Sequence, residues 1–211
     1  MFSVATPLAL DATTVGFLLR WFHVLFGIVW IGMLYFFNFV NGPFAKTLDA
    51  DTKKKVVPEL MPRALWWFRW GAMGTFLTGV AMLALLAMKD PFYFKDGAGQ
   101  LQGRAGWVMM GVTFATIMWF NVWFVIWPRQ RKLIGWLKAG EKNPEADKLT
   151  RVAFLASRTN TYLSGPMLFA MLASVNFAGY FGPVAIVVSL VLGFGAMHGL
   201  IGRSGKVSTE V

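Results

Sequence analysis

Five long apolar runs separated by polar connections dominate the chain. They cover Val15–Val40, Leu65–Met88, Gly106–Trp127, Thr161–Tyr180 and Pro183–Ile201. Each holds roughly 19 or more residues, enough to cross about 30 Å of hydrocarbon at 1.5 Å per residue. The pattern predicts an all-α, polytopic membrane bundle of five transmembrane helices, one integral membrane domain over residues 1–211. Gly182-Pro183 allows only a tight link, so the last two runs are expected to form an antiparallel hairpin. Two connections are polar yet helical in pattern. Lys46–Pro62 carries Lys53, Lys54 and Lys55 and is punctuated by Pro58 and Pro62. Gln130–Arg158 carries six basic residues before its end, among which Leu133, Trp136 and Leu137 recur at helical spacing. That recurrence predicts a surface helix over about 130–149, its apolar stripe against lipid or a neighbouring subunit.

Composition supports the membrane class: 56% of residues are hydrophobic and 14% charged, against about 25% charged in a soluble domain. The absence of Cys excludes disulfide scaffolds, zinc–thiolate sites and iron–sulfur clusters. A net charge of +10 would suggest nucleic acid in a soluble protein. Here Lys and Arg fall between apolar runs, so the charge reads as topology and no nucleic-acid partner is expected. Sixteen Lys and Arg lie in the first and third connections, the tail and at Arg69; four (Arg20, Lys89, Lys95 and Arg104) lie on the other side. Cytoplasmic loops hold the excess, which predicts an outside N-terminus and an inside C-terminus. The Trp residues near the run ends read as an aromatic belt.

Ionisable groups inside a membrane are costly and point to function. No Asp or Glu lies well inside any run, which argues against a carboxylate proton relay or a cation-coupled transporter and against di-iron or glycosidase chemistry. Arg20, His23, Arg69 and His198 remain, with the amides Asn38, Asn121, Asn160 and Asn176. Neutral imidazole is a common haem ligand. Arg20 and Gly27 stand three before and four after His23, on one helix face. Gly27 leaves room for a flat macrocycle, and Arg20 could pair with a propionate. Gly195 and Gly202 flank His198 in the same way. The candidate cofactor-binding set is therefore His23, His198, Arg20, Gly27 and Arg69, with His23 and His198 as metal ligands, for haem b or a quinone. No catalytic residue is singled out. Alternatively, small residues let helices approach and each His hydrogen-bonds across an interface, for His23 to an amide such as Asn121 or Asn160. Placed in parallel spans, the two imidazoles are offset by about 16 Å along the membrane normal. One iron would need them about 4 Å apart, so a shared bis-His haem is disfavoured. Met33, Met109, Met110 and Met197 are alternative ligands.

Four stretches carry a family likeness: Arg20–Met33 (RWFHVLFGIVWIGM), Trp66–Val80 (WWFRWGAMGTFLTGV), Thr116–Leu133 (TIMWFNVWFVIWPRQRKL) and Ser157–Ala173 (SRTNTYLSGPMLFAMLA). In this order they resemble the N-terminal membrane domain of bacterial membrane-bound urate hydroxylase. The pattern around His23 is also similar to the membrane protoporphyrinogen oxidases, small haem-b bundles. The resemblance implies a helical domain of the bacterial inner membrane tied to oxidation and to a cytochrome c. In that family a cytochrome c domain follows the membrane domain; without Cys here, a periplasmic c-type cytochrome is expected as a separate polypeptide. His23 and His198 match retained family histidines, whereas Met109 and Thr159 stand where the family carries His. Those departures argue against urate oxidation by this chain. Three functions follow: a redox subunit handling haem b or quinone, a non-catalytic accessory subunit packed among other membrane subunits and lipid, or a stand-alone purine or porphyrin oxidase.

Overall fold

The computed structural model describes residues 11–90 and 92–207. Five helices build them: α1 Ala12–Thr47, α2 Ala50–Lys89, α3 Gly103–Ala139, α4 Ala146–Asn176 and α5 Pro183–Ser204. Among the described residues there is no strand, only a lone bridge between Lys95 and Leu101 in the loop after α2. Each expected run falls in its own helix, the fourth ending at Asn176 rather than Tyr180. Helices α1, α2, α3 and α5 are long and apolar enough to cross a membrane, which marks a multi-pass membrane protein.

Local chemistry sets the ends. Asp11 caps α1 by accepting from the Thr13 and Thr14 N–H groups at 3.1 and 2.7 Å, and Asp49 caps α2 from Asp51 and Thr52 at 2.9 Å each. Gly140, at φ 69°, turns the chain out of α3 through a left-handed conformation. Trp107 Nε1 donates to Phe177 O at 3.1 Å, satisfying a carbonyl at the end of α4.

The two polar connections are not elements of their own. Residues 50–62 form the start of α2, which runs 40 residues through Pro58 and Pro62, about 60 Å in length. The surface helix expected over 130–149 is likewise corrected: its first part is the end of α3, which stops at Ala139, and α4 begins at Ala146. Pro128 does not stop α3 because it follows a π-helical segment, Asn121–Ile126. It enters the first turn of the resumed α-helix, where its missing N–H is tolerated. The apolar stripe also lies otherwise than expected. Ile134 is buried in the main core, and Leu133, Trp136 and Leu137 are half-buried in a segment packed on α2 and α4.

Packing rests on close approach, because lipid offers apolar contacts as readily as protein does. Helices α1 and α2 run antiparallel, and glycines of α2 receive large side chains of α1. A Cβ on Gly71 would meet the Trp30 backbone, one on Gly74 would overlap the Phe26 ring, and one on Gly79 would touch His23. Helices α4 and α5 meet the same way, Gly193 against the Pro166 backbone and Gly165 against Gly193 O. Helix α4 packs against α1, α3 and α5 and buries Asn160, Thr161 and Ser164 completely. A helix enclosed by protein can carry such groups because they bond inside. Asn160 Nδ2 donates to Met118 O at 2.9 Å, and its Oδ1 accepts from Asn121 Nδ2 at 2.8 Å. Both atoms on α3 sit where α-helix passes into the π segment. A second π segment, Phe36–Asn41, is tied down by Asn38, whose Nδ2 donates to Leu34 O and Ser157 Oγ.

Candidate functional site

The notch between α1 and α2 opens into a cavity of about 490 Å³, walled on the far side by α3 and α4. This volume is in the range that houses a small organic ligand. Its walls are apolar but for a few groups, of which His23 is the informative one. His23 Nδ1 lies 3.2 Å from Thr78 Oγ1, and that hydroxyl is 2.6 Å from Gly74 O. A threonine hydroxyl has one proton. With that proton on Gly74 O, Thr78 Oγ1 can only accept from His23, so Nδ1 carries the ring hydrogen and Nε2 keeps its lone pair. Gly79 backs the ring: a Cβ there would lie 3.1 Å from His23 Cε1. His23 therefore finds its partner one helix away, in Thr78, and not in Asn121 or Asn160, which bond each other.

Gly27 and Gly32 also line the cavity, with nothing within 4 Å of where their Cβ atoms would stand. Met167 and Met171 of α4 form the opposite wall. Trp30 contributes a face, and its Nε1 is buried with no partner. At the far end Tyr35 OH lies 3.0 Å from Ser164 Oγ; that serine gives its proton to Thr161 O at 2.7 Å, so Tyr35 donates to it. The rim is formed by exposed apolar side chains, among them Val24, Ile28, Val80 and Leu168.

The other predicted residues lie elsewhere. Arg20 is exposed and outside the cavity wall. Arg69 sits over three indoles, with its guanidinium carbon 4.0 Å from the Trp127 ring centre, 5.2 Å from Trp123 and 5.7 Å from Trp70. Its Nε is buried without a partner. His198 is on the outer face of α5, its Nδ1 3.1 Å from Tyr162 OH. Its neighbour Met197 touches Tyr35, which stands twelve residues along α1 from His23, about 18 Å. The structure thus unites His23 with Gly27 and brings neither Arg20, Arg69 nor His198 to them. Among the described residues no group of three or more His, Asp or Glu side chains could hold a metal ion.

Thr78, Gly79, Met167 and Met171 are site neighbours that the apolar pattern does not single out. A signal existed for the first two: Gly71, Gly74, Thr75, Thr78 and Gly79 break the second apolar run with small and hydroxylic residues, opposite the bulky Phe26 and Trp30 of the first. The methionines gave none, since Met fills cores everywhere.

No curated protein and no solved structure matches the chain. Residues 97–201, which hold α3, α4 and most of α5, match the family model described as urate oxidase N-terminal, so over that stretch the chain is similar to the urate oxidase N-terminal family.

Proposed function

We propose that the chain is an integral membrane redox subunit that takes a lipophilic ring molecule, a quinone or quinol, from the bilayer into the cavity at His23. The observation that carries this reading is the His23 imidazole, anchored through Nδ1 on Thr78, at the wall of a mostly apolar cavity with an apolar rim. A quinol hydroxyl donates to Nε2, and the ring lies against Gly27 and Gly32. Thr78 holds the imidazole so that the lone pair stays available, and the apolar walls exclude water. When bound, a quinone couple supplies two-electron, two-proton chemistry. Urate itself fits this cavity poorly: its several N–H and C=O groups would be buried mostly against carbon, with few polar groups to meet them.

A second reading is haem b, favoured by Met167 and Met171 in the wall, which add soft sulfur donors to the imidazole. It meets one demand less well, because no Lys or Arg lines the cavity to pair with propionates. In either case the electrons pass to a c-type cytochrome, in keeping with the likeness to an oxidative family. Five crossings with the N-terminus outside complete the reading. Helices α3 and α5 both suit a membrane, and α4 runs antiparallel between them. The asymmetry of 16 to four Lys and Arg supports this orientation.

The test is purification from native membranes in mild detergent, with quinone extraction and a dithionite-reduced spectrum for wild type and His23→Ala. Bound quinone that His23→Ala loses supports the first reading. A reduced b-type band that it loses supports the second. Equal quinone content and featureless spectra in both proteins reject both and leave an accessory subunit.

A further inference from the structure

A second cavity, of about 470 Å³, lies further along α1, bordered by both π-helical segments through Phe37 and Ile126. Its chemistry differs from that of the first. The floor is apolar, with Phe37, Phe68 and Ile126, while Lys46, Gln130 and Arg158 bring polar groups to the wall. Among the described residues no Asp or Glu lines it. Among the described residues neither Lys46 nor Arg158 has a carboxylate within ion-pair distance, and Arg158 Nη1 is buried with no hydrogen-bond partner. A guanidinium N–H left dry and unpaired loses its water without compensation. Arg158, whose guanidinium has only the Phe154 ring at 5.2 Å beside it and one N–H left dry, and the exposed Lys46 ammonium on the same cavity together call for an anion.

We propose that this cavity is a binding site for an organic phosphate, with its anionic group on Lys46 and Arg158 and its apolar body on Phe37, Phe68 and Ile126. Phosphate suits the site better than carboxylate. Arg158 offers five N–H donors, Lys46 three and the Gln130 amide two, more than two carboxylate oxygens use, and a phosphate presents further acceptor oxygens. The apolar floor calls for a carbon body behind the charge. That body is either the acyl part of a phospholipid or the body of a soluble phosphate ester.

Native mass spectrometry of the purified chain tests this, with phosphatidylglycerol, diacylglycerol of the same tails, and inorganic phosphate as probes. Wild type is expected to retain one phosphatidylglycerol in preference to diacylglycerol. Arg158→Gln and Lys46→Gln each weaken that retention roughly tenfold, the size expected for one charge-assisted hydrogen bond, and Arg158→Lys restores most of it. Phosphatidylglycerol that millimolar inorganic phosphate does not displace identifies a lipid source; displacement identifies a soluble phosphate source. Either supports the site. Lys46 is exposed, so Lys46→Gln leaves packing untouched even if Arg158→Gln misfolds. Equal retention of phosphatidylglycerol and diacylglycerol, or wild-type retention in Lys46→Gln, overturns the proposal.

Discussion

His23 and Thr78, on facing helices, meet at 3.2 Å through Nδ1 and Oγ1, and the hydroxyl's own proton is taken by Gly74 O at 2.6 Å. The pair sets the tautomer of the ring. Thr78→Val keeps shape and removes the hydroxyl. It should cost about 1 kcal/mol of stability, the usual net worth of one hydrogen bond, and release the ring to both tautomers. Nitrogen-15 shifts of the His23 ring report the tautomer directly, and Thr78→Ser should retain the wild-type shifts. Unchanged shifts in Thr78→Val would show that the hydroxyl does not select it.

Gly27 and Gly74 make a contrasting pair. A Cβ at Gly74 would overlap the Phe26 ring, whereas one at Gly27 meets nothing within 4 Å. Gly74→Ala should therefore force α1 from α2 and destabilise the fold by roughly 1–3 kcal/mol, as overpacking does. Gly27→Leu should leave thermal unfolding in detergent near wild type while filling the cavity. The measurement is a melting curve with and without a short-chain quinone, and the expected outcome is a ligand-induced shift in wild type that Gly27→Leu abolishes.

Asn160 is fully buried and bridges α3 and α4 with two hydrogen bonds, whereas the Asn176 side chain is exposed and bonds its own helix at Leu172 O. Asn160→Leu removes the acceptor of Asn121 Nδ2 and one donor to Met118 O, and should cost roughly 1–3 kcal/mol. Asn176→Ala should be near neutral. Chemical unfolding of both variants in the same detergent separates the two cases, and equal midpoints would refute the contrast.

The cap of α2 is sensitive to acid. The Thr52 hydroxyl and N–H, with the Asp51 N–H, hold the Asp49 carboxyl below its ordinary range. A carboxyl whose folded value is depressed contributes stability that is complete above its unfolded value and is lost as pH falls through the folded one. The helicity of residues 50–60 should accordingly weaken only below the ordinary carboxylate range. Asp49→Asn, which caps without ionising, should flatten that dependence in hydrogen exchange measured across acidic pH.

Orientation is open to a direct labelling test, because the chain has no cysteine background. Lys95→Cys should react with an impermeant maleimide from the periplasmic side, and Lys142→Cys only after the membrane is opened. Periplasmic labelling at Lys142→Cys would invert the topology.

Secondary structure was largely legible in the sequence, since a bilayer demands that each span satisfy its own backbone. Runs of apolar residues therefore become helices, and the imbalance of Lys and Arg gives an expected orientation. The absence of intramembrane carboxylates and the isolation of His23 were equally plain from the residues. What joins across helices was not. Pro128, just beyond the third apolar run, lies inside α3, because a π segment before it shifts the hydrogen-bond pattern by one residue. The partner of His23 depended on which face of α2 meets α1, and the glycines at 71, 74 and 79 decide that by letting only one face approach. Arg20, one turn from His23, shares its helix face and yet lies outside the cavity wall. A periodic pattern gives a side chain its direction about one axis, whereas a site needs several axes placed against each other. Only close packing between helices supplies that placement.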